Sequence, residues 1–268
     1  FDKHPYKESV IGTMEDLDAA QLDEFKKFFD KYYIPNNATL VVAGDLKKAE
    51  TKKMIEDYFG PIKRGEPFDR IDIKEDPITE AKEVTEYDAN IQVPVKMFSY
   101  RTPSMKNRDA YVLDMISTLL TGGKSSRMYK RMVDDEKIAL QVIAFARSQE
   151  DYGVYNVGAL AMGETPLSKL AEVMDEEIQK VKTELISEKE YQKLQNQFEN
   201  RFVNSNSSIQ GIASSLAKYH VLYGDTELIN KEIEIYKDIT REDIRDVAKK
   251  YLQKDKRLEL DYLPESNK

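Results

Sequence analysis

No cysteine occurs among the 268 residues, and the two histidines, His4 and His220, stand 216 positions apart. Neither a disulfide nor a thiolate metal site can staple this chain, so apolar packing and hydrogen bonds must hold it together. The same counts exclude a thiol nucleophile, an iron–sulfur cluster and every short two-histidine zinc motif, in either the His-x-x-x-His or the His-x-x-Glu-His form. The length is ample for a staple-free core, in one large domain or two of ordinary size. Forty-one basic against 49 acidic residues leave a net charge of -8, which argues against a general nucleic-acid surface. No apolar run approaches the roughly 20 residues that span a bilayer. The chain begins at Phe1 rather than Met. The expectation is a processed product or a fragment, soluble, with no signal segment and no indication of compartment.

Periodicity predicts a mixed succession of elements. A helix after Asp18, its expected N-cap, carries Leu22, Phe25, Phe29 and Tyr32 at steps of three and four. Pro35-Asn36-Asn37 stops it, and Thr39-Leu40-Val41-Val42-Ala43 reads as a buried strand ending at Gly44. A second helix over 47–59, with Met54, Ile55 and Tyr58 inward, is closed by Gly60-Pro61. From about 63 to 90 charge and proline dominate, as in a linker, with a strand around 80–87. A strand is expected over 92–101, where Pro94 suggests an edge or a strand start, a helix spans 108–120, and Gly122-Gly123 breaks it. Ser125 or Ser126 caps a short helix to about 133, and 138–147 with 152–162 forms a hairpin. Thr165-Pro166, the Ser187/Glu190 capping box, the 209–223 helix ended by Gly224, and Thr240/Asp243 lay out a mostly helical remainder. A strand over 258–262 closes the chain. The helix-to-strand ending after Leu17 resembles the one after Ile239, so one kind of unit closes twice.

Three stretches resemble the pitrilysin/insulinase family of zinc peptidases, which includes the mitochondrial processing peptidases and respiratory core proteins. The first runs from His4-Pro5-Tyr6 through Val10-Ile11-Gly12 to Tyr33-Ile34-Pro35-Asn36-Asn37-Ala38-Thr39-Leu40-Val41-Val42-Ala43-Gly44-Asp45. The second is Tyr58-Phe59-Gly60-Pro61-Ile62, and the third is Leu119-Leu120-Thr121-Gly122-Gly123-Lys124-Ser125-Ser126-Arg127-Met128-Tyr129-Lys130-Arg131-Met132-Val133. Each alone is weakly specific, but their order and spacing are strongly so.

The resemblance implies an α+β fold of pitrilysin-type halves, each a mixed or antiparallel sheet with helices on one face, facing each other around a peptide-holding chamber. It assigns 1–70 to the end of a first, incomplete half, 71–90 to a linker and 91–268 to a complete second half. In that family an inverted His-x-x-Glu-His motif lies upstream of the segment matching His4-Pro5-Tyr6. No zinc ligand therefore carries over to this chain, and zinc is expected in the upstream half or on a partner subunit. Active members also supply an Arg and, seven residues on, a Tyr that hold the substrate. Val133 and Leu140 stand at those positions here, with Arg131 nearby but out of register.

Among single residues, His4 and His220 read as structural or surface groups. Gly122-Gly123-Lys124-Ser125-Ser126 fails the phosphate-loop pattern, because Thr118 stands where its first Gly belongs. The carboxylate runs Asp134-Asp135-Glu136 and Asp175-Glu176-Glu177 read as solvent-exposed helix positions. Arg127, Tyr129 and Arg131 are the candidate substrate-binding residues, on a basic face suited to a peptide C-terminus or acidic side chains. A solvated face explains the same pattern.

The expected function is the substrate-holding, non-zinc portion of a zinc metalloendopeptidase. The alternative is an inactive homologue serving as partner subunit or scaffold. The incomplete first half would leave apolar surface exposed and favour self-association.

Overall fold

The computed structural model describes residues 1–70 and 72–265. They form two compact units, Phe1–Pro77 with Ser205–Ile229, and Ile78–Asn204 with Asn230–Lys268.

The first unit is helical. Thr13 and Asp16 make a capping box that opens α1 (Met14–Ala19). Asp18 therefore lies inside a short helix rather than capping the next, and α2 (Leu22–Tyr32) starts from Gln21 with Glu24 closing its own box. After α3 (Lys48–Phe59), the backbone N–H groups of Asp2, Lys3 and His4 all donate to the Glu75 carboxylate, at 2.7–3.0 Å. The strand expected over 39–43 does not form, and Leu40 and Val42 are exposed. An apolar run becomes a strand only beside a second backbone that takes its N–H and C=O groups, and this unit offers none among the described residues. Met54 and Tyr58 of α3, expected inward, are exposed for the same want of a facing layer, as are Phe25, Phe28 and Phe29 of α2.

The second unit is built on a sheet. Its strands are β1 (Lys82–Asp88), β2 (Val95–Pro103), β3 (Ala139–Ser148), β4 (Tyr152–Ala161) and β5 (Arg257–Pro264). They lie in the order β1-β5-β2-β4-β3, with β1 parallel to β5 and every other pair antiparallel. The strand expected in the charged 71–90 stretch is β1, an edge strand. Pro94, expected at an edge or a strand start, directly precedes β2 near the middle of the sheet. Its carbonyl accepts the Ala161 N–H at 2.9 Å.

The helices α4 (Arg108–Thr121), α5 (Leu167–Thr183) and α9 (Arg241–Tyr251) pack on one face of the sheet. The covered face alternates along β2: Lys96, Phe98, Tyr100 and Thr102 are buried and the residues between are half-buried. Opposite them, the even-numbered Leu258, Leu260 and Tyr262 of β5 pair with Ser99, Met97 and Val95 on the other face. The residues of β5 that face the helices are thus charged: Arg257, Glu259 and Asp261.

This charge is satisfied internally. Arg257 is 1% exposed and donates to Asp175 of α5, to Glu259 and to the Tyr100 hydroxyl, while its guanidinium lies 3.5 Å from the Phe98 ring centre. Lys96 bridges Glu259 (3.2 Å) and Asp261 (2.7 Å). Burial alone would disfavour the Arg257 charge, but the carboxylates outweigh it and the pKa rises above the ordinary arginine value. Burial also pushes the Tyr100 hydroxyl up to about 12, so it stays a neutral partner.

Two further helices, α6 (Glu188–Ser205) and α8 (Leu228–Lys237), complete this unit's chain. The second fills a stretch to which the sequence expectation assigned no element, although its Ile229, Ile233 and Tyr236 recur at steps of four and three. In the chain between them, α7 (Ile209–Lys218), which belongs to the first unit, runs into a π-helical turn, Tyr219–Tyr223, ended by Gly224 at φ 74°.

Candidate functional site

The stretch from Gly122 to Gln141 concentrates the irregular backbone of the second unit. The chain leaves α4 through Gly122-Gly123. Gly123 has φ +103°, and a Cβ on Gly122 would fall 2.4 Å from the Thr118 carbonyl oxygen, so the turn requires both glycines. Ser126 is buried and donates its hydroxyl to the Gly123 carbonyl at 2.6 Å. It thus fastens the turn and does not cap the helix that follows. Lys193 of α6 donates to the Ser125 hydroxyl at 2.7 Å.

The short helix expected to about 133 is present, but its turns over Tyr129–Asp135 are π-helical. The Glu136 N–H reaches back five residues to the Arg131 carbonyl at 2.8 Å, and Ile138 reaches back six to Met132 at 2.9 Å. Met128 and Met132 anchor the segment in the core. Lys137 then takes φ 54°, the one positive φ outside glycine among the described residues. Two residues later β3 opens with a bulge: Ala139 pairs with Ala161 and Gln141 with Leu160, leaving Leu140 as the extra residue. Nothing in the Asp134-Asp135-Glu136-Lys137 sequence, without Gly or Asn, signals a left-handed residue. The π turn, strained residue and bulge were therefore not legible. Such features cluster where a chain re-aims side chains near functional sites.

Arg127, Tyr129 and Arg131 all lie on this segment. Arg127 forks onto Glu190 of α6, Nε to Oε1 at 2.7 Å and Nη2 to Oε2 at 3.0 Å. Arg131 meets three carboxylates: Glu136 (2.7 Å), Glu177 (2.9 Å) and Glu176 (2.5 Å). Burial opposes the Arg131 charge, but these hydrogen bonds outweigh it and raise the pKa. Tyr129 is half-buried. The carboxylate runs are the other half of this arrangement. Glu177 is buried and also accepts from Lys180 at 2.6 Å, Asp175 serves Arg257, and Asp135 meets Lys130 at 3.3 Å. Asp134, Asp135, Glu136 and Glu176 are exposed as expected, whereas Asp175 is half-buried and Glu177 is buried, both held by ion pairs.

Glu190 has a second task. Its carboxylate also accepts the Ser187 N–H and hydroxyl, completing the capping box of α6. Hydrogen bonds from Arg127, then those from Ser187, overcome burial and hold its pKa at about 2, against an ordinary 4.5. A depressed carboxylate stabilises the fold above its unfolded pKa and loses that contribution as pH falls through the folded one. Glu190→Gln should therefore cost about 1–2 kcal/mol at neutral pH after allowance for solvent screening, and almost nothing near pH 2. Urea unfolding of both proteins across pH 2–7 checks this, and a loss independent of pH would contradict it.

Val133 is half-buried in the π segment, and Leu140 is the bulge residue, 49% exposed. Neither can supply a hydrogen bond from its side chain. His4 is buried, with Nδ1 accepting the Tyr6 N–H at 3.2 Å, and His220 is exposed. Among the described residues, no group of three or more His, Cys, Asp or Glu is placed to hold a metal ion. The described side chains thus assemble no zinc site. No helix of the described residues is long and apolar enough to cross a membrane.

Comparison with known proteins agrees with this architecture. The chain is 28% identical over 262 residues to the zinc protease PqqE of Helicobacter pylori, covering 93% of this chain and 56% of the relative. It is 21% identical over 263 residues to an uncharacterized zinc protease, YmxG, of Bacillus subtilis, covering 97% and 62%. The chain thus spans somewhat over half the length of these relatives. The crystal structure of a protease from Helicobacter pylori superposes with a TM-score of 0.89 at 23% identity, over 98% of this chain and 64% of that one. The family model for the M16 peptidase inactive domain matches residues 19–198, across both units. By that match the chain belongs to the M16 peptidases, the pitrilysin/insulinase type, as the inactive domain that lies downstream of the zinc motif.

Proposed function

We propose that this chain is the peptide-holding, non-zinc portion of a zinc metallopeptidase that works as a closed chamber. The observation that carries this reading is the match of residues 19–198 to the inactive domain of a peptidase family whose relatives here are zinc proteases. Zinc, the general-base Glu and the attacking water come from the zinc-motif segment, on the same parent or on a partner. This chain contributes a wall and an extended-peptide binding surface, such as a sheet edge. In this reading Arg127, Tyr129 and Arg131 lie at that wall as the candidate substrate-binding residues, and the ion pairs of Arg127 and Arg131 also fix the segment that leads into β3.

A second reading, an inactive partner subunit or scaffold, is favoured by one observation. Val133 and Leu140 occupy the positions where the resemblance expects an Arg and a Tyr. The absent donor to a developing oxyanion is worth roughly 3 kcal/mol where such donors are measured.

The deciding experiment mixes this chain with the polypeptide that carries the zinc motif and follows cleavage of an unstructured peptide. Cleavage that neither component shows alone supports the peptidase reading. A stable complex without cleavage supports the scaffold. No complex at any ratio overturns both.

A further inference from the structure

Two ion pairs within the π-helical segment join residues five apart. Lys130 meets Asp135 at 3.3 Å and Arg131 meets Glu136 at 2.7 Å. In an α-helix, residues five apart lie about 140° around the axis and their side chains diverge. These pairs therefore match the π winding, in which the Glu136 N–H donates to the Arg131 carbonyl. The sequence nevertheless holds a second set. Two basic residues, Lys130-Arg131, are followed by three acidic ones, Asp134-Asp135-Glu136. At the α-helical spacing of four, Lys130 faces Asp134 and Arg131 faces Asp135. Asp134 is exposed and in no ion pair among the described residues, so the observed winding leaves it spare.

A π turn holds one residue more than an α turn between the same ends. The upstream end is fixed: Lys130 donates to the Ser126 carbonyl at 3.0 Å with α spacing, and Met128 and Met132 are fully buried. Downstream, the Ile138 N–H folds back onto the Met132 carbonyl, and Lys137 beside it is held at φ 54°, which is costly for a residue with a Cβ. Rewinding the turn as α passes one residue into the 136–138 connection and lets Lys137 return to negative φ. It gives up the hydrogen bond from Ile138 to Met132. The contacts of Arg131 with Glu176 and Glu177 of α5 lie upstream of the change and are kept.

We infer that residues 129–138 form a two-register switch, which exchanges the π winding for an α winding with Lys130 on Asp134 and Arg131 on Asp135. Either register makes two ion pairs, so charge does not choose between them. The Ile138 hydrogen bond favours the π winding, and relief at Lys137 favours the α winding. The movement is passed on, because the Ile138 carbonyl accepts the Met162 N–H at 2.9 Å, just beyond β4. The start of β3 and the turn after β4 therefore shift together. This end of the sheet has two discrete shapes, and a partner that fits one better selects it. The switch goes beyond the peptide-holding reading and does not depend on it.

Methyl-labelled isoleucine and methionine in the 268-residue chain report the switch, by NMR relaxation dispersion and saturation transfer. Exchange is expected at Ile138 and Met162 and not at Met115 or Ile116 in the core of α4. Three variants at exposed carboxylates separate the registers. Glu136→Gln loses a pair only in the π winding and should raise the minor population roughly two- to fivefold, the worth of an exposed ion pair. Asp134→Asn loses a pair only in the α winding and should lower that population as much, most clearly on the Glu136→Gln background. Asp135→Asn loses one pair in each and should leave the balance where it was. Lys137→Gly holds a positive φ freely and should lower the minor population by at least about fivefold. No exchange at Ile138 in either the wild type or Glu136→Gln overturns the inference. An equal response to all three carboxylate variants, or none to Lys137→Gly, does the same. So does exchange at Met115 and Ile116 with the same rate and population, which would report opening of the whole unit.

Discussion

Arg257→Ala will cost about 3–5 kcal/mol of stability, the range found when one partner of a buried ion pair is removed. The reason is the position of Arg257 on β5, facing the helix layer with its side chain 1% exposed. Removing it strands Asp175 and Glu259 together, with side chains 22% and 14% exposed, and leaves them, among the described residues, the cations of Lys254 and Lys96. It also opens a gap above the Phe98 ring and takes the hydrogen-bond donor from the Tyr100 hydroxyl. Arg257→Lys should recover only part of the loss, since an ammonium cannot fork onto two carboxylates and stack on a ring at once. In a unit of this size the alanine variant should melt roughly 10 °C lower. A loss below about 1 kcal/mol, by urea unfolding, would show that the cluster does not organise the sheet.

Arg131→Ala is the second large effect, about 2–4 kcal/mol. Three carboxylates from two elements converge on this one guanidinium, and Glu177 among them is buried. Lys180 remains for Glu177, which keeps the expected loss below that of Arg257. The damage should be local: hydrogen exchange should accelerate across 129–138, where the π-helical backbone depends on the clamp, and change little in β2 or β4. Uniform acceleration across the sheet would mean that Arg131 supports the whole unit and not the approach to β3.

How far these features could be read from sequence differs by element, for physical reasons. The Ser187/Glu190 and Thr240/Asp243 boxes were legible because a cap is a local hydrogen-bond problem with a fixed spacing. The hairpin of β3 and β4 was legible because its partners adjoin in sequence. The expected strand over 39–43 failed because pairing is not local, and the composition of Leu40-Val41-Val42 cannot show whether a partner exists. The charged face of β5 left a readable trace, Arg257, Glu259 and Asp261 at alternate positions with Lys96 in the buried register of β2. That alternation identifies a strand without telling that its charges, and not its leucines, face the helices. Of the candidate site, the position of Arg127, Tyr129 and Arg131 on one short helix was legible. Their distant glutamate partners, Glu176, Glu177 and Glu190, 45 to 63 residues away, were not.

The most direct test is the zinc content of the purified 268-residue chain, measured by atomic absorption after dialysis against trace zinc, with peptidase activity assayed on the same sample. A non-zinc portion of a metallopeptidase should hold far less than one zinc per chain and cleave nothing by itself. One zinc per chain, together with cleavage that a chelator abolishes, would contradict this and require a ligand set beyond the residues described.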